Sequence, residues 1–102
     1  MAVIVQYTSR ALPGMSPAKL VENMKSGAAL WKKHGASPRL WAVSLGEIGN
    51  MAFSAEFASF AEYGKCLDKL NADPAFQKWR AKNQESGLSE WVRSNLLREL
   101  TP

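Results

Sequence analysis

Few side chains in this chain of 102 residues are equipped for chemistry. His34 is the single histidine. An imidazole there can act as a general base, a proton shuttle or a haem ligand. It also has a plainer use: at the C-terminal end of a helix, the macrodipole favours a partly positive ring. Glu56 falls near the end of an alternating stretch, on the side expected to lie under helices. Burial there would raise its pKa and suit it to take a proton from a bound phenol. On the surface it would only reach solvent or pair with an arginine. His34 and Glu56 are thus the candidate catalytic residues.

Tyr7, Trp31, Trp41, Phe53 and Trp79 either line an aromatic ligand pocket or fill a core. Arg39, beside Trp41, suits a ligand carboxylate or caps a sheet edge. The candidate ligand-binding residues are therefore Tyr7, Trp31, Arg39 and Trp41. Cys66 sits in a helix interior next to Lys65, with Lys69 nearby. Those ammonium groups favour a thiolate, whereas burial leaves an inert thiol. One cysteine excludes an intrachain disulfide and a zinc cage. Neither a metal nor a cofactor is expected.

The net charge of +4 is spread over helix faces rather than gathered on a stripe, with acidic residues mixed in. Nucleic-acid surfaces concentrate their charge. Gly46-Glu47-Ile48-Gly49 matches the GXXG of RNA-binding KH domains, but that loop joins helices and this one joins strands. The sheet aromatics lack the basic, Gly-rich run of an RRM platform. No nucleic-acid partner is expected. No apolar run approaches the ~20 residues that cross a bilayer. The segment Met1–Val5 reads as a strand rather than a signal peptide. A cytoplasmic protein of one domain is the expectation.

The elements that must position these groups are legible by period. Ala2–Thr8 alternates, with Val3, Val5 and Tyr7 on one side and Ile4, Gln6 and Thr8 on the other. Pro13-Gly14 is a turn. Ser16 caps a helix with Pro17 at its first position. Leu20, Val21, Met24, Gly27, Ala28, Trp31 and His34 form its stripe. Gly27 suggests a close approach to the sheet, and Gly35 ends the helix. Pro38–Leu45 and Asn50–Phe57 read as a hairpin around Gly46–Gly49. Ser59 and Glu62 have capping-box spacing, opening a helix over Ser59–Leu70. Asp73 caps a further helical segment that carries Phe76 and Trp79 and closes at Gly87. The tail, 89–100, fits a strand or a helix equally.

With a final strand, the order is β-α-β-β-α-β, an α+β, ferredoxin-like antiparallel sheet with helices on one face. If the bulky strand faces coincide, Val3, Val5, Tyr7, Trp41, Val43, Met51 and Phe53 gather on the open side. Such a patch calls for a second subunit. The smaller, more polar face would then leave a cavity under the helices.

The run Phe57-Ala58-Ser59-Phe60-Ala61-Glu62-Tyr63-Gly64-Lys65, leading through Leu67, Lys69 and Leu70 to Asp73-Pro74-Ala75-Phe76, resembles NIPSNAP-type proteins. In these and related dimeric α+β-barrel proteins, including small antibiotic-biosynthesis monooxygenases, a strand ending in an aromatic enters a helix that stops near a D-P dipeptide. The first half, a strand, a Trp-bearing helix and a strand hairpin, matches in order and length. The resemblance covers nearly the whole chain and carries no diagnostic catalytic signature. It implies a homodimer with two sheets packed face to face. Some members of the wider superfamily oxidise aromatic substrates without a cofactor, so the resemblance implies a small organic ligand and, for an enzyme, a cofactor-free monooxygenase or a related isomerase. Haem-degrading relatives use an Asn, Trp and His set without matching positions here. The alternative is a non-enzymatic structural or stress-associated protein.

Overall fold

The structure, a computed structural model, describes residues 2–101; Met1 and Pro102 lie outside it. Its elements are β1 (Val3–Ala11), α1 (Pro17–Lys33), β2 (Ser37–Ala42), β3 (Asn50–Phe57), α2 (Phe60–Ala72), α3 (Pro74–Ser86) and β4 (Ser89–Arg98). The four strands form one antiparallel sheet in the order β2-β3-β1-β4. This is the α+β ferredoxin-like arrangement, with α3 added after α2. The tail is a strand. Its pairing with β1 slips between Thr8 and Ser9, where Thr8 faces Arg93 and Ser9 faces Trp91.

The strand faces are allotted the opposite way to the expectation. In the central pair, Val3 faces Phe57, Val5 faces Ala55 and Tyr7 faces Phe53. This bulky side is the one the helices cover: Val3, Val5, Phe53, Ala55 and Phe57 are all buried. The Trp31 ring of α1 packs at 5.2 Å from Phe53 and 6.4 Å from Phe57, centroid to centroid. The reason is energetic. Apolar area removed from water contributes about 25 cal/mol per Å², so the greasier face takes the helices. In β2, Leu40 pairs with Phe53 and shares its side. Arg39 and Trp41 therefore point to the uncovered side, and the grouping of Trp41 with Val5 and Phe53 is corrected.

The hairpin is also looser than its pattern implied. β2 stops at Ala42, and only Val43 N–H, donating to Asn50 O at 2.9 Å, extends the pairing. Gly46 and Gly49 both have positive φ, 81° and 95°. They wind the backbone into a wide loop. Val43 and Leu45 alternate as strand residues would, but Leu45 points into water.

Each helix start has the cap its sequence offered. Ser16 Oγ accepts from Lys19 N–H at 3.3 Å, Ser59 Oγ from Glu62 N–H at 3.2 Å, and Asp73 Oδ1 from Ala75 N–H at 2.9 Å. Asp73 does a second job. Its Oδ2 lies 2.7 Å from His34 Nε2 and 3.2 Å from Lys33 Nζ, tying the end of α1 to the start of α3. Those partners favour the carboxylate. The His34 contact, then the Ala75 N–H and Lys33, hold the Asp73 pKa at about 2 against an ordinary 3.8.

Gly27 has its reason in α3 and not in the sheet. A Cβ at this position would sit 2.5 Å from Cζ2 of Trp79. The indole lies flat against the bare helix backbone, and its Nε1 donates to Asn23 O at 3.1 Å.

Two outcomes follow for stability. Gly27→Ala adds helix propensity worth about 1 kcal/mol, but overpacking against a rigid indole costs about 1–3 kcal/mol. Urea unfolding should show a net loss, along with a shifted tryptophan emission; a gain in stability would contradict the packing. The depressed Asp73 pKa contributes stability that is present above about pH 4 and lost as pH falls through the folded value of about 2. Thermal melts of Asp73→Asn should show less acid destabilisation across that window than the parent chain.

Candidate functional site

A cavity of about 500 Å³ lies between the helices and the sheet. Its floor is Tyr7 and Phe53, whose rings stack 6.0 Å apart. Trp31 of α1 forms one wall, with its ring 6.1 Å from Tyr7. Phe76 and Trp79 of α3, stacked at 5.8 Å, form the other. Space remains for two reasons. Gly27 and Ala28 place little bulk on the α1 side, and α3 packs on α1 and α2 rather than on the strands. The β4 end is left open, where Trp91 stands 66% exposed beside the entrance.

The mouth is polar. Asn23 Nδ2 donates to Asn83 Oδ1, and Arg80 Nη1 donates to Asn71 Oδ1 at 3.5 Å. Ser9, Gln84 and Ser89 complete the rim. Inside, burial pushes the Tyr7 pKa well above its ordinary value, and the neighbouring Tyr63 hydroxyl adds to that shift. The phenol therefore stays protonated through neutral pH and can donate a hydrogen bond. Such a cavity, apolar in its walls with a few placed polar groups, is the form small-molecule sites take.

The structure brings Tyr7, Trp31, Phe53 and Trp79 together at this cavity. Arg39 and Trp41 are not there. They lie on the far face of the sheet, where Trp41 Nε1 donates to Ser54 Oγ at 2.8 Å. Glu56 is likewise on the far face, exposed and paired in register with Ile4 and Ser37, so its expected place under the helices is corrected. The error was the face assignment: once Phe53 and Phe57 turn toward the helices, Glu56 must turn away.

His34 and Glu56 do meet, in a separate cleft of about 480 Å³ at the end of the sheet, lined also by Glu62, Lys65 and Lys69. His34 caps α1 through its backbone N–H and is engaged by Asp73 through its ring. Cys66 is 2% exposed, and burial raises its thiol pKa against the opposing pull of Lys69. It is placed as an inert thiol. Among the described residues, no cluster of three His, Cys, Asp or Glu side chains could hold a metal ion, and no helix is long and apolar enough to cross a membrane.

Arg80, Asn23, Asn71, Asn83 and Trp91 went unnoticed as site residues in the sequence. For α3 a signal existed. Phe76, Trp79, Arg80 and Asn83 stand at i, i+3, i+4 and i+7, one continuous helix face on which only the two aromatics attracted notice. Trp91 gave no such signal, since its side depends on the slip in the β1–β4 register.

Several solved structures are similar to this chain over its whole length. A NIPSNAP family protein from Agrobacterium tumefaciens is 16% identical, with a TM-score of 0.75 and coverage of 100% of this chain and 98% of that one. An uncharacterized NIPSNAP domain protein from Burkholderia xenovorans is 19% identical, with a TM-score of 0.74 and coverage of 100% and 99%. SnoaB, a cofactor-independent oxygenase from Streptomyces nogalater, is 14% identical, with a TM-score of 0.72 and coverage of 99% and 95%. No family model matches the chain, and no curated protein matches it significantly. At these identities the likeness is one of fold: the chain shares the ferredoxin-like fold of these NIPSNAP family structures and of SnoaB.

Proposed function

We propose that this protein binds a small planar aromatic molecule in the cavity under its helices and oxidises it with molecular oxygen, without a cofactor. The observation that carries the reading is the cavity itself, about 500 Å³ walled by Tyr7, Trp31, Phe53, Phe76 and Trp79. Its aromatic walls and polar rim match the form that small-molecule sites take. The SnoaB fold supports the choice of chemistry, being that of a cofactor-independent oxygenase.

The reaction balances on the substrate alone. A methylene activated by flanking aryl rings and a conjugated ring carbonyl gives up a proton to water at the open mouth of the cavity and becomes a carbanion whose charge is delocalised onto the carbonyl oxygen. That carbanion reduces O2. One oxygen atom ends in the new carbonyl and the other in water, with all four electrons drawn from the methylene. The cavity lining contains no carboxylate and no imidazole. The carbanion must then form through the substrate's own acidity, assisted by a donor to its oxygen. Tyr7 is that donor, a neutral, half-buried phenol among aromatic walls, where a hydrogen bond to an oxyanion is stronger than in bulk water. Glu56 and His34 stand outside this cavity and take no part.

The reading includes a homodimer, on a different basis from the one first expected. The molecule is a plate, 42 × 35 × 16 Å, with helices on one side only. Its bare face holds Ile4, Trp41 and Leu97, and Trp41 and Leu97 are 49% and 47% exposed. Arg39 and Glu56 lie on the same face, so two copies packed face to face can bring opposite charges together.

Two measurements test these claims. With anthrone as probe, Tyr7→Phe should lower oxygen uptake roughly 10-fold, the scale of one lost hydrogen bond to a developing charge. Glu56→Gln and His34→Gln should match the parent chain. Uptake no faster than in buffer would remove the oxygenase reading, and a Glu56→Gln loss would return catalysis to the far face. Sedimentation equilibrium should give twice the 11.3 kDa protomer mass, with Trp41→Lys shifting the chain to monomers. A monomeric parent chain at all concentrations would exclude the dimer.

A further inference from the structure

Arg80 is the one ionised residue among those lining the aromatic cavity. Among the described residues its guanidinium has no carboxylate partner, although four Lys or Arg side chains pair with carboxylates elsewhere. Its helix offers none: the residues three and four positions away are Phe76, Gln77, Asn83 and Gln84. Two contacts hold it in place instead. Its carbon Cζ sits 5.4 Å from the Phe76 ring centroid, and Nη1 donates to Asn71 Oδ1 at 3.5 Å. These orient the planar fork and leave its charge uncompensated. The neighbouring side chains Asn23, Asn71 and Asn83 are neutral amides and supply no opposing charge.

An arginine fork matches a carboxylate with two parallel N–H donors. Phe76, under the guanidinium, is itself a wall of the cavity. A planar ring bound against Phe76 and Trp79 would carry an acidic substituent outward to Arg80 at the mouth. We propose that Arg80 makes this cavity selective for aromatic carboxylates, the ring seated among the aromatic side chains and the carboxylate held at the α3 rim. This rests on the reading of the cavity as a ligand site and names the class of ligand.

The test uses a matched pair of probes, 2-naphthoate and its neutral isostere 2-naphthamide, titrated by calorimetry against the whole protein. The parent chain should bind the carboxylate at least 10-fold more tightly than the amide. Arg80→Gln should abolish that preference while leaving amide affinity within about twofold, which also shows that the variant is folded. Arg80→Lys should retain part of the preference, because it keeps charge and loses the fork. Equal affinities for the two probes, or a preference that survives Arg80→Gln, would overturn the assignment while leaving the cavity as an aromatic site. Binding of neither probe would overturn both.

Discussion

Everything in this molecule follows from one packing choice, the seating of Trp31 on the Phe53 side of the sheet. The indole touches Phe53 and Phe57 from above and closes over Tyr7. That contact decides which face the helices roof and which stays bare. It sends Leu40 inward and Trp41 outward on the neighbouring strand. It also sets the height of α1 above the sheet, since a ring pair at 5.2 Å acts as a spacer. Below the spacer the core is filled. Beyond it, toward β4, the cavity opens.

The third helix roofs that gap on one side and leaves it open at the β4 end. Asp73 fixes where α3 starts by capping it and by bonding the end of α1. Gly27 lets Trp79 lie against α1 with no intervening side chain. The two constraints act at the start and the middle of α3 and set its angle over the opening. The same helix then presents Phe76 and Arg80 toward the space it roofs. Stability and recognition therefore share residues here: the indole that locks two helices together also walls the cavity.

Much of this was legible in the residues. Alternation gave the first strand, Ser-Pro and capping-box spacings gave the first two helices, and Asp73-Pro74 gave the third. The ferredoxin-like order followed, and with it the need for a final strand that the tail pattern left undecided. What failed was the choice of face. A period of two separates a strand into sides without saying which side meets a helix. That choice is collective: it depends on the register of β2 against β3, which are joined by a seven-residue loop wound by two glycines. This one step put Glu56 under the helices and Tyr7 and Phe53 on the open side, whereas Trp41 does lie on the open side but without them; Tyr7 and Trp31 still meet at the cavity as the aromatic pocket residues they were read to be. Arg80 escaped notice because an exposed arginine on a polar helix looks like any other until its lack of a carboxylate partner is seen.

The central claim is that a planar ligand enters on the helix side of the sheet. Intermolecular NOEs from a bound naphthalene ring test it most directly. The account predicts cross-peaks to the Trp31, Phe53 and Trp79 ring protons and none to Trp41. Cross-peaks to Trp41 and Ile4, with silence from Trp31, would place the ligand on the bare face and contradict it.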